Sequence, residues 1–386
     1  MNTAPTLSAT APATLPGWLI EQAVRRPHAI ALRQKRLGLW QVLSWQDVAT
    51  RVERLAAGLA QRGFGPGDAL LLVSHPRVEA VLLSLAAQWA GGVATPLDPA
   101  LDADTWARAL AHLAPRFAFA EDDIQLERLL AYSPHVIDAN LRGLPPHRNP
   151  AVIDYRTLSE SPASTMPSLA KPSDDAFAFL RVDSNGQLIQ QRATHATLVR
   201  EALYLAAVEQ LHAGDEALAA RAFAATAQAR YLIAPWLSTG FRLNFPESIA
   251  TRDNDRRELA PTIVAGTQQT YARVARLVED RLPADAHAWR RKLLLRALNG
   301  TGGAFSRALI WWTVARPLRE IIGFSRTHAA LVAGPGLDEK TAALFDALRI
   351  DVHAWPDAGN WQSVPTQSEP ASLEFAQNHG PLAQPA

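Results

Sequence analysis

The sequence predicts an α/β protein built from stacked, parallel-stranded subdomains. Short apolar runs alternate with stretches of helical spacing, and brief turns rich in glycine and proline separate them. Size is the other indication. With 386 residues, 48% of them hydrophobic, the chain can bury a large core in two or three packed lobes.

The elements follow in order. Residues 1–14 read as a disordered leader, with neither a basic start nor an apolar run. Val48, Val52, Leu55 and Leu59 recur at helical spacing, and Gly63 and Gly65 stop that helix. The turn Gly65-Pro66-Gly67-Asp68 introduces a buried strand, Ala69 to Ser74. A second apolar helix, Val78 to Ala90, stops at Gly91-Gly92 and is followed by the strand "VATPL". "RFAFAED", Arg116 to Asp122, gives a third strand, and Glu121 to Asp123 read as a solvated helix start. Strand, helix, strand with short turns predicts a parallel sheet with right-handed crossovers.

A polar, proline-bearing stretch, Asp138 to Pro172, then acts as a separator. After it come a buried strand (Ala176 to Leu180), a turn (Asp183-Ser184-Asn185-Gly186) and a helix start at Thr194-His195. Helices at Thr197 to Glu209, Gln268 to Arg281 and Asp338 to Leu348 alternate with strands after Pro261 and from His328 to Gly334. A helix-to-strand passage is expected from Ala217 to Phe245. Residues 15–360 thus read as one domain with subunits at about 44–135 and 174–360, and 361–386 as a disordered tail.

Composition excludes several function classes. Basic and acidic residues balance at 38 against 37, so no global field favours nucleic acid, and no nucleic-acid partner is expected. The absence of cysteine removes disulfides, a thiolate nucleophile and a thiolate-bound metal. No run of 18 apolar residues spans a bilayer. A cytoplasmic location is expected, with placement at the periphery of the inner membrane as the alternative. That alternative rests on Ala288 to Phe324. There Arg290, Arg291, Lys292 and Arg296 flank leucines, and Trp311-Trp312 follow. The competing reading is a core-packed helical hairpin with solvated arginines.

Several stretches together resemble the large N-terminal domain of AMP-forming acyl-CoA synthetases, bacterial long-chain fatty-acid–CoA ligases in particular. They are "RRPHAIALRQKRLGLWQVLSWQDVATRVERLAAGLAQRGFGPGDALLLVSHPRVEAVLLSLAAQWAGGVATPLDPAL", "GFRLNFPESIATRDNDRRELAPTIVAG" and "RPLREIIGFSRTHAALVAGPGLDEKTAALFDALRI". The resemblance implies stacked α/β subdomains and a chemistry in which ATP and a fatty acid give an acyl-adenylate and then acyl-CoA. It also implies ATP with Mg²⁺, and CoA, as the family's cofactors.

Family members carry Y-T-S-G-T-T-G-x-P-K-G followed by T-H. Anchored on Thr194-His195, this chain places Leu180 through Gly186 on Y-T-S-G-T-T-G and Gln187-Leu188-Ile189-Gln190 on x-P-K-G. Only Ser184, as a hydroxyl, and Gly186 persist; Asn185 takes a threonine's place. Asp183 sets a carboxylate where the family has glycine, and two unit charges at ~4 Å repel by roughly 4 kcal/mol at an effective dielectric of 20. Ile189 replaces the lysine. The family's Y-G-x-T-E falls on Pro356-Asp357-Ala358-Gly359-Asn360, without the aromatic surface, the hydroxyl or the glutamate. P-L-A-W/H-x-x-E falls on Ala222 to Gln228 with one alanine kept, and P-P-R-V-W on Gly266 to Thr270 with none. The family's remaining large-domain segment and mobile lid find no counterpart, so the chain reads as truncated.

The expectation is therefore a catalytically impaired relative with no catalytic residues, no bound cofactor and no metal, acting as scaffold, regulator or protein partner. Two alternatives stay open: a residual or split acyl-activating enzyme, and a fatty-acyl binding module that does not use ATP. His195 is a helix-start residue capped by Thr194 or a survivor of the T-H pair. Ser184 is a turn residue or a phosphate donor. Gly300-Thr301-Gly302-Gly303 is a flexible connector, since no lysine follows. His353 with Asp357 lacks the further ligands a metal requires.

Overall fold

Runs of buried apolar residues form parallel strands throughout the chain. The computed structural model describes residues 11–140, 143, 147–162, 166–182, 187–220, 223–281 and 311–356. Two units emerge, Met1–Val208 with Ala219–Phe245, and Glu209–Leu218 with Pro246–Ala386.

The first unit opens with α1 (Leu15–Arg25), whose N-terminus Thr14 caps. A hairpin follows, β1 (Ile30–Arg36) and β2 (Leu39–Ser44), turning through Leu37 and Gly38 at φ of 49° and 77°. The helix predicted from Val48, Val52, Leu55 and Leu59 is α2 (Trp45–Ala60), started by a reciprocal cap between Ser44 and Asp47. Its stripe of Val48, Val52, Leu55 and Leu59 is fully buried, as its spacing predicts.

Next come β3 (Ala69–Val73), α3 (Val78–Trp89), β4 (Val93–Leu97), α4 (Ala103–Leu113), β5 (Phe117–Ala120), α5 (Asp123–Leu130) and β6 (His135–Asp138). Then β7 (Val152–Asp154), α6 (Tyr155–Ser159), β8 (Asp175–Val182) and β9 (Leu188–Thr194) lead into α7 (His195–Val208). The sheet order is β7-β6-β5-β3-β4-β8-β9, parallel except for β9. On one face Leu71, Val73, Ala118, Ala120 and Val136 meet Trp106, Leu110, Leu126 and Leu129 of α4 and α5. Leu70 and Leu72 point to the other face by strand alternation. α3 is buried at Val78 and at every position from Ala80 to Trp89, so it is apolar all round and serves as an internal layer.

One expectation is corrected here. Asp138 to Pro172 does not merely separate two lobes, because it supplies β7 and α6 to this sheet and its covering layer. Leu158 of α6 is fully buried, and a Cβ at Gly58 of α2 would stand 2.6 Å from its Cδ1. The bare backbone of Gly58 thus permits α6 to close on α2. Short strands flanked by prolines escape detection by periodicity.

The unit is completed by α8 (Thr226–Gln228), a π-helical turn over 229–233, α9 (Ala234–Thr239) and β11 (Arg242–Phe245), which pairs in parallel with β1. Trp236 stacks on Trp45 at 4.8 Å and donates its indole N–H to the Ala31 carbonyl at 3.1 Å.

In the second unit, β10 (Glu216–Leu218), β12 (Ile263–Gly266), β13 (Ala329–Ala333) and β14 (Val352–Trp355) run parallel in the order β14-β13-β12-β10. The helices are α10 (Arg252–Leu259), α11 (Gln268–Arg281), α12 (Arg316–Ile322) and α13 (Glu339–Ala347), the last capped by Asp338. Tyr271, Val274, Val278, Val314, Leu318 and Phe345 close over Val264, Ala330 and Val332. The Tyr271 hydroxyl lies 3.1 Å from the carbonyls of both Val264 and Leu331.

The Ala288–Phe324 segment is described only from Trp311 onward. There Val314, Ala315, Leu318, Ile322 and Phe324 are buried, as the core-packed reading expects. Trp312 stays 61% exposed, with the Arg316 guanidinium 4.8 Å above its ring. The glycine-rich stretch 300–303 and the basic run 290–296 lie outside the described residues.

Candidate functional site

The segment that aligns with the phosphate loop folds as the β8–β9 hairpin. Arg181 pairs with Ile189 and Val182 with Leu188. Asp183, Ser184, Asn185 and Gly186 at its tip lie outside the described residues. Sequence reasoning passes over β9. Its signal is alternation, since Gln191 and Ala193 are buried while Arg192 between them is exposed. Arg192 reaches across the ladder to Asp175 at 3.1 Å. Ile189 is thus a strand residue bonded into a ladder, part-buried and uncharged.

His195 begins α7 and is 1% exposed. Its Nδ1 accepts the backbone N–H of Leu15, the first residue of α1, at 3.2 Å. Burial pushes its pKa down to about 4, against the attraction of Asp174. Protonation at Nδ1 would remove the acceptor that holds Leu15, so burial and hydrogen bond both favour the neutral ring. The survivor of the T-H pair therefore anchors one helix start to another.

At the end of β14, Pro356 is part-buried, and Asp357, Ala358, Gly359 and Asn360 lie outside the described residues. His353, weighed as a partner of Asp357, is engaged elsewhere. Its Nδ1 stands 3.0 and 2.9 Å from the two carboxylate oxygens of buried Glu209, and its Nε2 stands 3.3 Å from Asp351. Trp355 donates its indole N–H to the same Glu209 carboxylate at 2.7 Å. The hydrogen bond to Glu209 outweighs partial burial and raises the His353 pKa to about 9.

The segment aligned with P-L-A-W/H-x-x-E ends at Gln228, which is buried. Beside it Arg230, in the π-helical turn, makes a two-pronged contact with Glu201 of α7, Nε and Nη2 donating at 2.7 and 2.9 Å. Both side chains are nearly enclosed, and burial raises the Glu201 pKa against the pull of Arg230.

The sequence reading missed one further pair. β4 and β5 flank β3 on opposite sides, so the strand order reverses at β3, and in such sheets ligands favour the crevice at the carboxyl ends of the strands. Ser74 and His75 follow β3 there, and Glu121 follows β5. His75 donates its backbone N–H to Glu121 at 2.8 Å, and its Nδ1 lies 2.5 Å from the other carboxylate oxygen. The hydrogen bond to Glu121 raises the His75 pKa; the Glu121 carboxyl, which burial pushes up, is carried below its ordinary value by the bonds from His75. Glu121 is thus buried and paired, and the expectation of a solvated helix start holds for Asp122 and Asp123 only. The residues stand 46 positions apart, which hides the pair from local motif reading. Chemically it is a proton-holding pair whose imidazole faces solvent.

Comparisons with known proteins agree with this architecture. Residues 19–180 match the family described as AMP-binding enzyme. A 111-residue stretch is 33% identical to naringenin synthase of Pestalotiopsis fici, covering 29% of this chain and 4% of that protein. Another of 228 residues is 26% identical to tyrocidine synthase 3 of Brevibacillus parabrevis, covering 58% of this chain and 3% of that one. Among solved structures, the fatty acyl-adenylate ligase from L. pneumophila in complex with acyl adenylate and pyrophosphate superposes with a TM-score of 0.64 at 13% identity. That superposition covers 89% of this chain and 54% of the ligase, so the chain spans about half of the structural relative and a few per cent of the two synthases. Residues 19–180 are thus similar to the AMP-binding enzymes, and the fold resembles about half of the fatty acyl-adenylate ligase structure.

Proposed function

We propose that this chain keeps the adenylate-forming fold without forming adenylates, and acts as a scaffold, regulator or protein partner in the cytoplasm. The observation that carries this reading is the placement of Ile189. The resemblance assigns it the position of the family's phosphate-binding lysine, and it is a part-buried strand residue in β9, opposite Arg181. Two further points support it: His195, at the family's T-H, is neutral and committed to Leu15, and Pro356 stands where the resemblance calls for an aromatic platform.

The described residues of this segment do not fit a triphosphate. An alkyl chain at position 189 supplies neither charge nor hydrogen-bond donor, and binding of the phosphates of ATP depends on both.

ATP–pyrophosphate exchange with a panel of fatty acids, run beside thermal shifts with ATP and with acyl chains, tests the reading. No exchange and no ATP shift are expected. Exchange above background would overturn it in favour of a residual or split acyl-activating enzyme. A shift with acyl chains alone would make the chain a fatty-acyl binding module rather than a protein partner.

A further inference from the structure

Three strand entries meet at the amino-terminal edge of the second unit's sheet. The turn His212-Ala213-Gly214-Asp215 leads into β10, Thr262 leads into β12, and His328 leads into β13. Backbone bonds lace them together: Thr262 donates to the Glu216 carbonyl at 2.9 Å, and His328 to the Thr262 carbonyl at 3.0 Å. The side chains converge as well. Asp215 is 1% exposed, and its Oδ1 accepts the Thr262 hydroxyl at 2.8 Å and lies 2.8 Å from His328 Nε2. Its Oδ2 accepts the His212 backbone N–H at 2.8 Å and stands 3.6 Å from His212 Nδ1, which also accepts the Gly214 N–H at 3.1 Å. The two imidazoles stack at 6.0 Å, both reached by solvent.

One ligand atom from each of His212, Asp215 and His328 falls within 4.8 Å of the others. Tetrahedral coordination with bonds of 2.0–2.2 Å sets ligand atoms ~3.3–3.6 Å apart. Oδ1 stands 2.8 Å from His328 and Oδ2 3.6 Å from His212, and the three ligand atoms lie within 4.8 Å of one another. Ring movements of up to about 1.5 Å, His212 Nδ1 giving up the Gly214 N–H, would seat a cation. The carboxylate needs no such movement, because Thr262 and the His212 backbone already hold it. Two imidazoles and one carboxylate suit a borderline cation such as zinc over a hard one such as magnesium.

We propose that His212, Asp215 and His328 form a binding site for a divalent transition metal of the zinc class, with solvent completing the coordination. The neutral His328 ring carries its one proton on Nδ1, and the cation takes the place of the hydrogen bond between His328 Nε2 and Asp215 Oδ1. Bound there, it clips the β10 and β13 entries on either side of β12. The site lies at the strand edge opposite the one that ligands favour in such sheets, and its role is to tie the unit together. Sequence reasoning expects no metal because it seeks ligands close together, whereas Asp215 and His328 are 113 positions apart.

The test is titration of the full chain, stripped with chelator, with Zn²⁺ by calorimetry and with Co²⁺ by visible absorption. One equivalent is expected to bind, with the intense bands of low-coordinate cobalt. His212→Ala and His328→Ala should each weaken binding at least about tenfold, and Thr262→Val about 10–100-fold by freeing the carboxylate. His353→Ala, which removes another carboxylate-paired surface imidazole, should leave affinity unchanged. The histidine variants alter exposed side chains, and circular dichroism checks that they fold. The proposal is overturned by the absence of saturable binding, by equal affinity in wild type and His328→Ala, or by loss of the site in His353→Ala.

Discussion

His195 in the first unit and His353 in the second sit beside strand ends, and their surroundings drive them in opposite directions. His195 is enclosed, has no carboxylate bonded to its ring and accepts one backbone N–H, so burial holds it neutral with a pKa of about 4. His353 is half-exposed and bonded to buried Glu209, which holds it charged with a pKa of about 9. For these two histidines the difference is whether a bonded counter-charge faces the ring; Glu201, raised by burial despite Arg230, shows that near-complete enclosure can still prevail over such a charge.

The largest effect should come from separating the enclosed charges of the first unit. Arg230→Ala leaves Glu201 buried without its partner, and urea unfolding should show a loss of about 3–5 kcal/mol. Glu201→Leu with Arg230→Met should recover most of that loss. If it does not, the pair contributes more than its mutual neutralisation, and the contrast between enclosed and solvent-facing groups sharpens.

His195 gives the next effect. Its folded pKa lies below the ordinary 6.5, so its contribution is complete above about pH 6.5 and is lost as pH falls toward 4. The shift corresponds to about 3 kcal/mol at most. His195→Ala should cost about 1–3 kcal/mol at neutral pH by stranding the Leu15 N–H, and it should flatten the acid limb of the stability profile. An unchanged acid limb would break the comparison on the first unit's side.

Removing the hydroxyl in Tyr271→Phe should lower stability by about 1 kcal/mol, because the carbonyls it bonds belong to strands that keep their ladders. The smallest effect is expected at His353. Its folded pKa is raised, so its contribution is present below about pH 6.5 and is lost as pH rises through 9. Solvent screening limits it to about 1 kcal/mol or less. Histidine-resonance titration by NMR should show the two rings on opposite sides of 6.5, and same-side values would dissolve the contrast.

Long periodic elements and their caps were legible in the sequence. The helix with Val48, Val52, Leu55 and Leu59 announces itself by spacing, and Gln268–Arg281 and the strand after Pro261 fall where patterning puts them. Elements defined by their neighbours were not. β7 has three residues and β9 alternates only over its last four, so neither offers enough period to read, although each pairs at a sheet edge with the strand just before it.

By itself, the sequence determined the α/β class, the strand β8 and the helix start at Thr194-His195, because local spacing and residue chemistry need no partner to be read. Only the tertiary structure decided that His195 is a neutral anchor for Leu15, that Glu121 is paired with His75, and that His212, Asp215 and His328 converge. Burial and counter-charge set those states, and both arise from residues tens to hundreds of positions away that meet only when the sheets form.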